Sequence, residues 1–216
     1  MLRVYRQLEP NENIIVGGDP ADGGNDYCAA QVLSTKHYDV PLVFQARMES
    51  QQFGHELLKL AKFIAKQTTI EPTIAVERNV GMATIFVLQQ NNYKNLFRMP
   101  RLGEMETDES DKIGWHTNSV TRPMMLDSLS MALRQAGLRI YDLPTIKEMM
   151  SFIRDRSGKP TAGRGSNDDL VMSLAIALNV AQIVPKTSIE KINSIASKIG
   201  AFPQQQLFDE NGISNV

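Results

Sequence analysis

Ile14-Ile15-Val16-Gly17-Gly18-Asp19-Pro20-Ala21-Asp22-Gly23-Gly24 is the stretch on which the fold turns. Three β-branched apolar residues make a short strand, and the Gly/Pro/Asp run behind them is turn chemistry. Asp19 stands where the strand stops. Tyr27 to Ser34 and Pro41 to Met48 are the next strand candidates, and their short connections predict antiparallel hairpins. The period then changes. Leu57, Leu60, Ala61, Ile64 and Ala65 recur at helical spacing, in a helix that starts near Ser50 and ends by Pro72. Thr73-Ile74-Ala75-Val76 is a short strand ending at Glu77; Gly81 to Gln89 reads as a helix and Asn95 to Met99 as another strand. Strand, helix, strand, helix, strand predicts parallel neighbours joined by crossover helices. The expected class is α/β: a mixed sheet, three antiparallel strands followed by parallel strands, flanked by helices.

Downstream, Leu126, Leu129, Leu133 and Ala136 mark a helix that stops at Gly137. Leu138 to Tyr141 is a late strand candidate, and Pro144 suits the first turn of a helix from Thr145 to Arg154. Ser157-Gly158-Lys159-Pro160 and Gly163-Arg164-Gly165 read as a flexible basic stretch. Asn167-Asp168-Asp169 opens an apolar helix with Leu170, Leu174, Leu178 and Ala181 on one face. Ile189, Ile192, Ile195 and Ile199 suggest a last helix. The expected organisation is a polar lead-in over residues 1–13, a domain over 14–200 and a loosely held tail over 201–216. Arg101 to Lys112 holds five acids against two bases, and reads as a mobile loop or protruding hairpin.

Composition narrows the class. At 216 residues with 42% hydrophobic and 22% charged residues, the chain is an ordinary globular one. A formal charge of -1 argues against coating nucleic acid by bulk charge, though not against a local basic groove. No apolar run approaches the ~20 residues of a membrane span, and the first residues lack a signal-peptide core. A single cysteine, Cys28, excludes an internal disulfide and a thiolate cluster, and it reads as a small buried hydrophobe. A reducing cytosol fits. His37, His55 and His116 make no spaced ligand set, which argues against zinc. Trp115 reads as a packing residue, and Met124, Met125 and Met131 as core.

The acids carry the chemistry. Asp19 and Glu77 each end a strand, and Asp168-Asp169 opens a helix after a Gly-containing loop. In open α/β sheets functional groups gather outside the carboxyl ends of strands. If the Asp19 and Glu77 strands are parallel neighbours, the two carboxylates stand about 4.8 Å apart, one strand spacing. Carboxylates that close repel each other, and a proton or a divalent cation relieves the repulsion. Hard oxygen donors favour Mg²⁺ or Mn²⁺, and with one more carboxylate a pair of ions is expected. Each part has a plain structural alternative: Asp19 as a turn residue, Glu77 as a solvated rim charge, Asn167-Asp168-Asp169 as helix capping. Successive helix positions diverge by about 100°, so one of Asp168 and Asp169 is expected to ligate and the other to cap or to support.

Gly17-Gly18-Asp19-Pro20-Ala21 with Gly23-Gly24-Asn25-Asp26-Tyr27, Val76-Glu77-Arg78-Asn79 with Gly81, Ile113-Gly114-Trp115, and Gly165-Ser166-Asn167-Asp168-Asp169-Leu170-Val171-Met172 follow one another in an order that resembles the nuclease domain of the large terminase subunit of tailed bacteriophages. The match runs from Ile14 to about Val184. The resemblance implies a ribonuclease H-like fold and metal-dependent endonucleolytic cutting of double-stranded DNA concatemers during viral genome packaging. It implies Asp19, Glu77, Asp168 and Asp169 as metal-binding catalytic acids, with Asp26 as an accessory. It implies an ATPase motor domain, a small terminase subunit and a portal as partners, in the host cytoplasm. No Gly-x-x-x-x-Gly-Lys-Ser/Thr phosphate loop is present, so the expectation is a nuclease region without its motor.

Phosphate contacts are expected from Lys159 and Arg164, before the acidic pair, and from Arg78 and Arg101; Arg98, Lys112 and Arg122 are further candidates. Three other readings compete. A Holliday-junction resolvase or ribonuclease H shares the fold and the acids. An actin-like ATPase or sugar kinase has a first phosphate loop similar to Asp19 with Gly23-Gly24, but needs a second half that this chain lacks. A non-catalytic module docking DNA or a portal needs no turnover.

Overall fold

The computed structural model describes residues 1–21, 26–99, 113–135, 137–154, 160–162 and 167–184. Met1–Ile183 is one unit, and of the second, Val184–Val216, only Val184 is described. The Ile14 stretch is the centre of the sheet. Strand β2 (Ile14–Asp19) is buried along its whole length. It pairs antiparallel with β3 (Tyr27–Ser34), which pairs antiparallel with β4 (Asp39–Arg47). Helix α1 (Ser50–Thr68) then crosses over to β5 (Thr73–Val76), which lies parallel to β2 with Gly18 opposite Val76. The mixed α/β sheet expected from the alternation is the observed one. Thr69 closes α1 in the left-handed conformation, φ 64°, its N–H bonded to Ala65 O.

Residues alternate across β2 and so feed two layers. Ile14 and Val16 join Val32, Leu42, Phe53, Leu57, Ile64, Ile74 and Leu88 in a core beneath α1 and α2 (Arg78–Gln90). Gly17 faces the opposite layer, α5 (Asp169–Ile183), which packs on β2 and β3. Every residue of α5 from Leu170 to Val180 is buried, not one stripe alone. The reason is position: α3 (Thr121–Gln135) and α4 (Leu143–Ser151) cover its outer side.

Other expectations change in detail. The lead-in contributes β1 (Leu2–Val4), an edge strand on β4. Its arginines are anchors: Arg6 pairs with the buried Glu12 and, at 2.7 Å, with the buried Asp39, and Arg3 pairs with the buried Asp142. Asn95 to Met99 forms only isolated bridges, Leu96 to Ile74 among them. The late strand is β6 (Arg139–Ile140), parallel to β4. Pro144 sits in the first turn of α4 as expected, but the helix stops at Ser151, and Phe152–Arg154 (β7) pairs with Pro160–Ala162 (β8). Met125 is buried, whereas Met124 and Met131 are 61% and 57% exposed, so those two are not core. Trp115 packs as expected, stacked on Phe97 with its indole N–H 3.0 Å from Met125 Sδ. The Arg101–Lys112 loop, the helix expected over 189–199 and the tail lie outside the described residues. Among the described residues no helix is long and apolar enough to cross a membrane.

Candidate active site

The parallel register of β2 and β5 places Asp19 and Glu77 side by side at their carboxyl ends. Glu77 N–H donates to Gly18 O at 2.8 Å, locking the pair to the sheet. On its other flank Trp115 N–H donates to Val76 O and Arg78 N–H to Trp115 O, each at 2.8 Å. Two glycines of the motifs make this possible. A Cβ on Gly114 would lie 2.6 Å from Val76 O, and its φ of +84° disfavours any side chain. A Cβ on Gly81 would lie 2.8 Å from Pro20 Cγ, so its absence lets α2 close on the turn after Asp19. Glu77 occupies the N-cap position of α2 yet makes no capping bond, so its carboxylate is left for Asp19.

Helix α5 presents the other two acids. It runs antiparallel to β2 and brings its N-terminus, with the positive end of its dipole, to the strand's carboxyl end. Asp168 is its N-cap residue, its carbonyl accepting from Met172 N–H at 2.8 Å, and Asp169 is its first residue. Capping is not what these side chains do for the next turn. Glu148, reaching from α4, takes Val171 N–H at 2.9 Å and also serves Leu170. Asp168 makes an ion pair with Arg122. Glu148 is the residue that sequence reasoning missed. Inside a short helix it looks like a solvated charge; only packing buries it to 9% exposure.

The electrostatics are those of crowded acid. Burial holds the Asp19 carboxyl well above the ordinary range, and the charges of Glu77, Asp169 and Asp168 add to it, as does a hydrogen bond shared with Glu77. Burial raises Asp169 to about 6, helped by Asp168 and Asp26. Burial likewise pushes Glu148 up to about 7, against its backbone bonds and with Asp169 and Asp168 adding. Asp26 is exposed but is felt by Asp169.

Asp19, Glu77, Asp168 and Asp169 are thus gathered at one edge. The donors are carboxylate oxygens, which suit a hard divalent cation. As the side chains stand, among the described residues no group of three or more His, Cys, Asp or Glu converges into an ion cage. The two observations are compatible, because charges act over longer distances than coordination does. The donor set suits an ion by its chemistry, and one Asp168 oxygen is engaged by Arg122. Of the expected phosphate contacts, Arg78 begins α2 beside Glu77 and Arg98 is exposed. Arg101, Lys112, Lys159 and Arg164 lie outside the described residues, as does Asp22.

No family model and no curated protein matches the chain. Solved structures do. The large terminase nuclease from thermophilic phage G20c superposes with a TM-score of 0.61 at 17% identity, over 82% of this chain and 87% of that one. The same nuclease has been solved with cobalt, magnesium and zinc bound. The large terminase nuclease domain of Thermus phage P74-26 gives 0.55 at 16% identity, over 82% and 83%. The large terminase of a further thermophilic bacteriophage, in complex with ADP, gives 0.53 at 14% identity, over 80% of this chain and 40% of that one. The fold is that of large-terminase nuclease domains.

Proposed function

We propose that this chain is a divalent-metal-dependent endonuclease that cuts double-stranded DNA, the nuclease part of a packaging terminase. The observation that carries the reading is the Asp19–Glu77 pair: two carboxylates held together at the carboxyl ends of parallel strands, with Asp169 and Asp168 near enough to raise Asp19 further. Unpaired buried acid is costly, and a site that accumulates it serves a purpose other than stability. The metal-bound forms of the G20c nuclease, on the same fold, support the same use here.

Asp19, Glu77, Asp168 and Asp169 would hold Mg²⁺ or Mn²⁺, and Asp26 would add charge at the rim. Two such ions supply an activated water and stabilise the departing oxygen of a phosphodiester. The chain's own residues do the rest. Burial fixes Asp19 within the sheet, the Gly18 and Trp115 hydrogen bonds fix Glu77, and Glu148 frees Asp168 and Asp169 from capping the next turn. Arg78, Arg101, Lys159 and Arg164 would steady the duplex by its phosphates, independent of sequence. An ATPase motor, a small subunit and a portal would present the DNA, in the host cytoplasm. A non-catalytic docking module is the second reading, and the Arg122–Asp168 pair is the observation on its side.

Supercoiled plasmid tests the choice. Nicking and linearisation are expected with Mn²⁺, less with Mg²⁺, and none with EDTA or with Asp19→Ala. Equal cutting by Asp19→Ala refutes the assignment, and absence of cutting under every metal favours docking. Comparing linear duplex, a four-way junction and an RNA–DNA hybrid separates the terminase reading from a resolvase or ribonuclease H.

A further inference from the structure

We infer that Arg122 competes with the divalent cation for Asp168, a positioning residue that sets how readily the site fills; the inference rests on the nuclease reading above. Arg122 lies in the first turn of α3, and its guanidinium is the partner of Asp168. A guanidinium stays charged at every working pH. It therefore neutralises Asp168 without a proton, occupies one of its carboxylate oxygens, and repels an approaching cation. All three effects lower metal affinity.

The placement is built rather than incidental. Asn118 Oδ1 accepts the N–H groups of Val120 and Thr121, both at 2.8 Å, and Asn118 O accepts Arg122 N–H at 3.0 Å. Thr121 Oγ1 donates to His116 O at 2.9 Å, and His116 Nδ1 lies 2.8 Å from Asn79 Oδ1. Asn79 Nδ2 donates to Thr117 O. Residues 116–122 are thus a strap pinned at one end two residues past Glu77, carrying Arg122 at the other. Strap and acids belong to one assembly, so Arg122 arrives at Asp168 whenever the strap is formed. Both partners keep solvent access, with side chains 32% and 33% exposed, and an ion from solution can displace the guanidinium. Asp168 is available for exchange because Glu148 already serves the amides of Leu170 and Val171.

Calorimetric titration of Mn²⁺ into the full chain without DNA tests this, on wild type, Arg122→Gln and Arg122→Lys, with circular dichroism confirming the fold of each. Arg122→Gln is expected to bind Mn²⁺ two- to fivefold more tightly; fivefold is about 1 kcal/mol at about 1.4 kcal/mol per tenfold, the upper end for a partly exposed pair. Arg122→Lys, which keeps the charge, is expected within twofold of wild type. Unchanged or weaker binding by Arg122→Gln overturns the competition, and so does a Lys variant as tight as the Gln variant. In either case the nuclease reading survives, provided that wild type binds Mn²⁺ and Asp19→Ala does not. Wild type that binds no Mn²⁺ overturns the nuclease reading and this inference with it.

Discussion

Replacing Gly17 by alanine places one methyl group where β2 meets α5. The added Cβ would lie 2.1 Å from Ser173 O, 2.6 Å from Ala177 N and 2.9 Å from Ala177 Cβ. Ordinary carbon–oxygen contacts begin near about 3.3 Å, so strand and helix must separate by roughly 1 Å. The obstacles are chiefly backbone, and no rotamer change relieves them. Overpacking typically costs about 1–3 kcal/mol, and we expect about 3 kcal/mol here. At about 2–4 °C per kcal/mol for a domain of this size, the midpoint falls by roughly 6–12 °C. Because α5 carries Asp168 and Asp169, the same retreat moves them from Asp19. A misplacement of about 1 Å costs on the order of 100-fold in rate. The neighbouring Gly18→Ala is the control. Its Cβ would meet Phe53 Cε1 at 3.4 Å and Leu57 Cδ1 at 3.6 Å, which is ordinary contact with movable side chains, and less than about 1 kcal/mol is expected. The assay is thermal unfolding by circular dichroism, then Mn²⁺-dependent plasmid nicking at least 15 °C below each variant's midpoint, with about that margin chosen so that unfolding is not the cause. A Gly17→Ala protein that melts within about 1 °C of wild type would show that β2 and α5 absorb the methyl group without separating, and one that melts lower yet nicks at the wild-type rate would show that the separation leaves the acids in place.

Arg6→Ala should cost roughly 3–5 kcal/mol, because it strands the buried carboxylates of Glu12 and Asp39; urea unfolding that shows less than about 1 kcal/mol would contradict it. Burial alone would raise Glu12, Asp39 and Asp142, but their arginine partners and hydrogen bonds bring all three below their usual values. Their contribution is therefore complete above about pH 4.5 and is lost as pH falls through the lowered values. An acid titration of stability that stays flat from about pH 5 to pH 2 would disprove this. Glu148 has the opposite sign: raised from 4.5 to about 7, it stabilises most below pH 4.5, and that contribution is lost as pH rises toward 7. Glu148→Gln keeps an acceptor for Val171 N–H without the buried charge. In EDTA it should gain about 2–3 kcal/mol on wild type between about pH 4.5 and pH 8; an equal difference at both pH values would count against the assignment.

The apolar run Ile14-Ile15-Val16, the helical run from Leu57 to Ala65 and the short run Thr73–Val76 are local patterns, and they were enough to place β2, α1 and β5 in order. Asp19 and Glu77 were legible for the same reason: each stands where an apolar run stops, and parallel pairing then makes them neighbours. The lead-in strand, the early end of α4 and the exposure of Met124 and Met131 were not legible, because each depends on what lies alongside rather than on what lies next in the chain. The same holds at the site. Glu148 finds Val171 across 23 residues and Arg122 finds Asp168 across 46. The amino-acid order determined which residues form strands and helices and which acids end them, since backbone geometry and hydrophobic periodicity act over a few residues. Which carboxylate caps, which is paired and which is left crowded depends on packing in three dimensions, since burial and charge act through space.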